Sequence, residues 1–253
     1  MLPAGIMLPA GRGAACTAKC SCYYRCMTEI GIAVDPSPAQ RPLPIVFSGR
    51  LVTLRPFDGP SQAEALYVAT HGPAREDLWR YMGDGPFSSF ADYQAAFEKK
   101  QKSEDQLFWA IVDNATGLPV GQASYLRIDP AQRGIEVGNI IFAPALQRSP
   151  GATEAMYLMA RHVFEDLGYR RYEWKCNALN QPSRRAALRL GFTFEGVFRQ
   201  HMIVKGRNRD TAWFSMLDSE WPARQANFLR WLAPSNFDEA GRQRLSLSHL
   251  NGQ

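Results

Sequence analysis

Glu136-Val137-Gly138-Asn139-Ile140-Ile141-Phe142 is a run rich in β-formers. Ala143-Pro144-Ala145-Leu146-Gln147-Arg148-Ser149-Pro150-Gly151-Ala152 carries it into an amphipathic helix starting near Thr153. A strand, a turn of small residues and a helix N-terminus, in that order, make a socket for a diphosphate. The first N–H groups of a helix have no partner inside it and point at whatever anion sits there. The stretch thus sets a β–turn–α unit at the centre of the fold and gives a ligand's chemistry before any catalytic side chain is chosen.

Upstream, alternation through Leu51, Thr53 and Arg55 starts the ordered chain near Arg50. Periodicity predicts helices over 62–70 and 90–102. Strands over 108–112 and 120–128 form a hairpin about the turn 113–119, and a second turn at 129–134 leads into the strand 135–142. Downstream, a helix over 153–167 places Met156, Met159, Ala160, Val163, Phe164 and Leu167 on one stripe, assigned to the core, and Gly168 closes it. There follow a strand (172–177), a helix (182–190) ended by Gly191, a strand (192–199), a basic loop (205–209), a strand (211–217) and a helix (220–232). That last helix and the polar tail are expected to lie beyond the motif-bearing region.

A chain of 253 residues accommodates one catalytic domain of about 150–200 residues plus extensions. No apolar run approaches the ~20 residues a bilayer-spanning helix needs, so no membrane partner is expected. Between Arg170 and Arg209 ten Lys/Arg face two acids, Glu173 and Glu195. A phosphorylated cofactor explains that excess more economically than nucleic acid, because no interleaved aromatic platform accompanies it; a solvated basic face is the plain alternative. Residues 1–26 carry Cys16, Cys20, Cys22 and Cys26 with three basic residues and no acid. Their spacing fits zinc poorly, so no metal is expected, and the segment reads as disordered or as sequence upstream of a start at Met27. Pro36, Pro38, Pro42 and Pro44 make 27–48 a flexible or extended lead-in. Cys176 falls in a strand as a reduced core residue, which points to a cytoplasmic setting.

Phe142-Ala143-Pro144-Ala145-Leu146-Gln147 with Gly151-Ala152-Thr153-Glu154-Ala155, then Asn180, Ser183 and Gly191-Phe192, then Glu195-Gly196, Arg199, Asp210 and Glu220-Trp221, together carry a resemblance. The chain resembles the GNAT superfamily of acyl-CoA N-acyltransferases, most of all its ribosomal-protein N-terminal acetyltransferase branch, over roughly 49–221. The resemblance implies an α+β fold: a mixed, mostly antiparallel sheet of six to seven strands, flanked by helices, with splayed central strands. It makes 1–48 an extension, 49–221 the acetyltransferase domain and 222–253 a C-terminal helix and tail. It also implies acetyl-CoA as cosubstrate and an amine-bearing acceptor (a protein N-terminus or small molecule), and leaves a homodimer open.

Carried over residue by residue, the resemblance places the cofactor against Gln147, Arg148, Ser149, Gly151, Ala152 and Thr153 and against the backbone of Ile140, Ile141 and Phe142. Pro150 departs from the family loop and removes one N–H, a loss of ~0.3–1 kcal/mol that the Gly151, Ala152 and Thr153 amides and the Ser149 hydroxyl are expected to offset. Asn180 is read as the pantetheine contact or as a cap. Ser183 is read as the acid that protonates the departing thiolate or as a cap, since the tyrosine many members use is replaced by Ala187. Arg184 and Arg185 reach the 3′-phosphate or face solvent.

Acetyl transfer needs a neutral amine, and Glu136 is the candidate general base. The alternative for Glu136 is a surface pair with an arginine such as Arg133. Asp210 is the second candidate base, although Arg207 and Arg209 beside it favour an ion pair. His71, His162 and His201 sit in no motif. Two other readings stay open: a CoA-binding module without turnover, which Pro150 and Ala187 make conceivable, and a basic nucleic-acid binder.

Overall fold

A computed structural model of the chain describes residues 31–73 and 75–252; the four amino-terminal cysteines lie outside them. The chain divides into two units, Met1–Ser37 and Pro38–Gln253. Of the first, residues 31–37 have no helix or strand. The second holds the fold.

Eight strands form one sheet in the order β1-β2-β3-β4-β5-β6-β8-β7. They are β1 (Phe47–Ser48), β2 (Val52–Pro56), β3 (Leu107–Asp113), β4 (Pro119–Asp129), β5 (Gly134–Phe142), β6 (Arg171–Asn177), β7 (Thr193–Val204) and β8 (Arg207–Leu217). Every pairing is antiparallel except β5 with β6. That parallel pair requires a crossover, supplied by helix α3 (Pro150–Arg161). The expected count of six to seven strands did not include β1, a two-residue strand inside the proline-rich lead-in that pairs Phe47 with Leu54.

The sheet is covered on both faces, which is why β3 reads as an unbroken apolar run. Trp109 and Ile111 join the core beneath α3 and α5 (Trp221–Leu232), where Met156, Met159, Val163 and Phe228 are buried. Phe108 and Ala110 point to the opposite face, against Leu66 of α1 (Gly59–Thr70) and Tyr93 and Phe97 of α2 (Phe90–Gln101).

The decisive irregularity is in β5. Ser124 is opposite Gly138, but Gln122 is opposite Ile141, so β5 carries one more residue than β4 over this step. Asn139 takes the extra place in the left-handed region, φ 51°. A one-residue insertion reverses which face later side chains occupy. Val137 accordingly lies in the α3 core, whereas Ile141 lies in the α1/α2 core. Side chains replace the interrupted ladder: Gln122 Nε2 donates to Asn139 O, Ser124 Oγ to Gly138 O, and Asn139 Nδ2 to Ser124 Oγ and Gln106 Oε1.

Other boundaries moved for local reasons. α3 starts three residues before the expected 153, because Ser149 is its N-cap and Pro150 takes the first position, where its missing N–H costs nothing. Its expected last turn is a π-turn, His162–Asp166, with Leu167 N–H reaching His162 O. The basic loop over 205–209 is mostly strand: Lys205 and Gly206, both at positive φ, make a two-residue hairpin turn, and Arg207 begins β8. Helix α4 (Gln181–Arg189) follows β6, and a four-residue helix, α6 (Leu247–Leu250), packs on α4 and α5.

One buried carboxylate ties the start of the sheet to α3. Glu154 Oε1 accepts from Arg50 N–H (3.0 Å), and Oε2 accepts from Leu51 (2.6 Å) and Val52 (2.9 Å). Glu154→Ala leaves three main-chain donors without an acceptor and is expected to cost about 3 kcal/mol, read as a lower urea midpoint at unchanged slope. A loss under ~1 kcal/mol would show that water replaces the carboxylate.

Candidate active site

β5 and β6 pair only from Gly134–Val137 to Arg171–Trp174; beyond that they part. The gap opens into a cleft of about 1360 Å³ that runs from Glu136 past the α3 N-terminus. The splayed central strands expected from the resemblance are therefore present, and the bulge at Asn139 begins where the pairing stops.

At one end lies the expected diphosphate socket. Arg148 has φ 57°, and neither its N–H nor that of Gly151 has an acceptor among the described residues. Ser149 Oγ is committed, donating to Leu146 O at 2.7 Å and accepting from Ala152 N–H at 3.3 Å. Thr153 is the fourth residue of α3. Its Oγ1 accepts from Arg189 NH1 at 3.0 Å. Gln147 Nε2 donates to Phe142 O and so clips the turn to the end of β5. Gly151 leaves space where a Cβ would come 2.9 Å from Val52 Cγ1, so helix and sheet approach closely there. Arg148 and Arg185 line the cleft. Arg184 does not: it donates to Ala178 O and lies over the Phe194 ring.

Midway along the cleft lie Asn180 and Ser183. Asn180 is the N-cap of α4, its Oδ1 accepting from Ser183 N–H at 3.1 Å. Ser183 lines the cleft, and its Oγ accepts from Trp174 Nε1 at 3.0 Å. Cys176 is free and buried as expected, but it also lines the cleft. Burial pushes its thiol up, outweighing the hydrogen bond with Ser183 and the nearby Arg209 and Arg184. Ala187, at the tyrosine position, is fully buried in the core.

Where the strands part, Glu136 is 3% exposed. Its Oε2 takes both Arg127 NH1 (2.7 Å) and Lys175 Nζ (3.0 Å). The expected partner Arg133 instead donates to Gly168 O. Arg127 sits at positive φ in a second bulge, in β4, which turns it toward Glu136. Lys175 also binds Glu173 at 2.7 Å and lies 3.8 Å from the Trp213 ring centre. Arg171 joins Glu173 to Glu195, completing a ladder of three cations and three carboxylates. Asp210 is not in the cleft lining; it accepts from Gln200 N–H and Asn208 Nδ2, which hold its carboxyl below the usual range. The ion pair foreseen for it with Arg207 or Arg209 is replaced by this turn-holding role. No histidine lines the cleft.

Sequence reading missed Arg127, Lys175 and Arg209, which line the cleft near Glu136. The one signal available was the alternation of Glu173 and Lys175 in a strand neighbouring Glu136. It also placed the final helix and the tail outside the site, whereas Trp231 of α5 and Phe237 and Arg242 of the tail form part of the cleft wall. Arg189 lies 4.7 Å from the Trp231 ring and joins that wall to Thr153.

A parted parallel pair beside the N-terminus of its crossover helix defines an acyltransferase of the GNAT class. The acetyltransferase (GNAT) domain family matches residues 51–193, and the chain belongs to that family. A solved GCN5-related N-acetyltransferase from Brucella melitensis is similar at 46% identity and TM-score 0.84, covering 86% of this chain and 98% of its own. "Putative ribosomal N-acetyltransferase YdaF" of Bacillus subtilis is 30% identical over 67% of this chain and 93% of its own. "Uncharacterized N-acetyltransferase YoaA" of the same organism is 25% identical over 69% and 97%. Proteins of the family use acetyl-CoA and act on amine-bearing acceptors. Among the described residues no helix is long and apolar enough to cross a membrane, and no group of three or more His, Cys, Asp or Glu could hold a metal ion.

The charge ladder makes stability depend on acid. At Glu173 burial raises the carboxyl, but Lys175 and Arg171 outweigh it and the net shift is downward; at Glu195 Arg171 lowers it most. Folded values below the ordinary 4.5 mean the contribution is complete above that pH and is lost as pH falls through the lower folded values. Arg171→Met is expected to flatten the decline of the urea midpoint below pH ~4.5. An unchanged acid limb would assign that decline to other carboxylates.

Proposed function

We propose that the protein is an acetyl-CoA-dependent N-acetyltransferase, moving an acetyl group from the thioester sulfur to a primary amine by direct attack. The acceptor is a protein N-terminus or a small-molecule amine. The observation that carries this reading is the continuity of the gap between β5 and β6 with the α3 N-terminus, which gives a thioester arm and its diphosphate one uninterrupted path.

The residues present fit that substrate. The Arg148 and Gly151 amides, with the Arg148 and Arg185 guanidinium groups, meet the phosphates. The freed backbone of Ile140, Ile141 and Phe142 holds the pantetheine, and an N–H at Ile141 or Phe142 polarises the carbonyl. Holding both reactants in line contributes up to ~7–11 kcal/mol in favourable systems. Because Trp174 Nε1 already donates to Ser183 Oγ, the serine O–H is turned away from the indole and delivers its proton to the departing thiolate.

Glu136 takes the proton of the attacking amine, directly or through one water. Both of its cationic partners engage Oε2, so Oε1 remains as the accepting atom. A peptide α-amine, pKa ~8, is easier to neutralise than a lysine, pKa ~10.4, by about 3 kcal/mol. A single carboxylate therefore favours the α-amine or another amine of lowered pKa.

Ser183→Ala is expected to lower kcat for thiol release about 10²-fold with CoA affinity nearly unchanged by calorimetry. A wild-type rate would remove the serine from the mechanism. Glu136→Gln is expected to lower kcat/KM for the acceptor about 10²-fold with CoA affinity nearly unchanged, and a wild-type rate would leave Glu136 a structural acid. Arg148→Glu tests the carrying observation, since wild-type CoA affinity in that variant would mean the diphosphate lies elsewhere. It is preferable to any change at Gly151, where a side chain collides with Val52.

A further inference from the structure

We infer that the acceptor carries a carboxylate close to its amine, and that Arg209 is the residue that recognises it. The inference deepens the transferase reading and rests on it.

Arg127, Lys175 and Arg171 are matched by Glu136, Glu173 and Glu195 through direct contacts, so the ladder is neutral as it stands. Arg209 is an additional cation on the same part of the cleft, with no carboxylate within ion-pair distance among the described residues. Its Nε is sealed from solvent and has no hydrogen-bond partner among them. Burying a donor on a cation without an acceptor is costly unless a ligand supplies one. Burial pulls its guanidinium down from the ordinary value, while the nearby Cys176 and Glu136 oppose that and Arg127 adds to it. The unmatched charge is thus close to both the serine–cysteine pair and the candidate base.

Arg209 is also held firmly. It sits in β8 opposite Met202, three residues beyond a turn whose Lys205 Nζ donates to Trp79 O at 3.0 Å. The segment 77–83 across the cleft brings one acid, Asp77, which is already paired with Arg80. Among the described residues at this part of the cleft, Glu136 keeps Oε1 to meet the amine, and Arg209 is the cation without a carboxylate partner to meet an anion beside it. An arginine fork suits a carboxylate because two N–H groups can engage it together. A polyamine would bring a second cation against Arg127, Lys175 and Arg209 and is disfavoured. The chemistry fits two sources: a peptide N-terminus followed by an acidic residue, and a free amino acid.

The test titrates CoA-loaded protein with three peptide amides that differ only in an Asp, Asn or Lys after the first residue, and with alanine against alaninamide. One of the two carboxylate-bearing acceptors is expected to bind at least tenfold more tightly than its neutral partner, which identifies the source. Arg209→Gln is expected to erase that gap without changing CoA affinity, and Arg209→Lys to restore part of it. Equal binding of acidic and neutral acceptors, a gap that survives Arg209→Gln, or preference for the Lys peptide would overturn the inference. Thiol release from acetyl-CoA with the same acceptors separates the two readings. Arg209-dependent binding without release from any acceptor sinks the transferase reading and leaves the carboxylate site. Release indifferent to the carboxylate does the reverse.

Discussion

One additional residue in β5 governs the rest of the molecule. Without the bulge at Asn139, β5 would continue alongside β6 in register, its side chains alternating as before. The insertion reverses that alternation, sends Ile141 into the second core and leaves Gly138 to Phe142 unpaired on the β6 side. Interrupted ladder bonds are expensive when buried. Gln122, Ser124 and Asn139 meet that cost with side-chain hydrogen bonds, so the gap is a built feature of the sheet.

The gap then determines where charge is placed. Its apex is the one place where the last paired residues of β5 and β6 meet cleft-facing side chains, and there Glu136 and Lys175 are both nearly inaccessible. Buried ion pairs are weak evidence for stability, because desolvation offsets much of their attraction. The ladder is better understood as a device that holds Glu136 by one oxygen and keeps the other available. Arg209 stands outside that balance, and the reading of the acceptor follows from it.

The opposite end depends on helix α3. Its N-terminus is pinned from two directions: Glu154 collects the amides of the β1–β2 turn, and Thr153 takes Arg189, which stacks on Trp231 of α5. The C-terminal segment is thereby part of the cleft wall. Proline at the first helical position, read from sequence as the loss of a phosphate donor, occupies a site suited to it.

The sequence by itself determined the order and type of nearly all the elements, the strand–turn–helix socket, the family and the identity of Glu136, Ser183 and Arg148 as cleft residues. These depend on periodicity, caps and turn chemistry, which act over a few neighbouring positions. Only the tertiary structure decided that Asn180 both caps α4 and lines the cleft beside Ser183, that Arg185 and not Arg184 lines it, that Glu136 is held by Arg127 and Lys175, and that Arg209 has no carboxylate within ion-pair distance among the described residues. Each of those outcomes depends on strand register and on segments distant in the chain. A single inserted residue changes which side chains share a face, and no local pattern records which distant charge will then stand opposite.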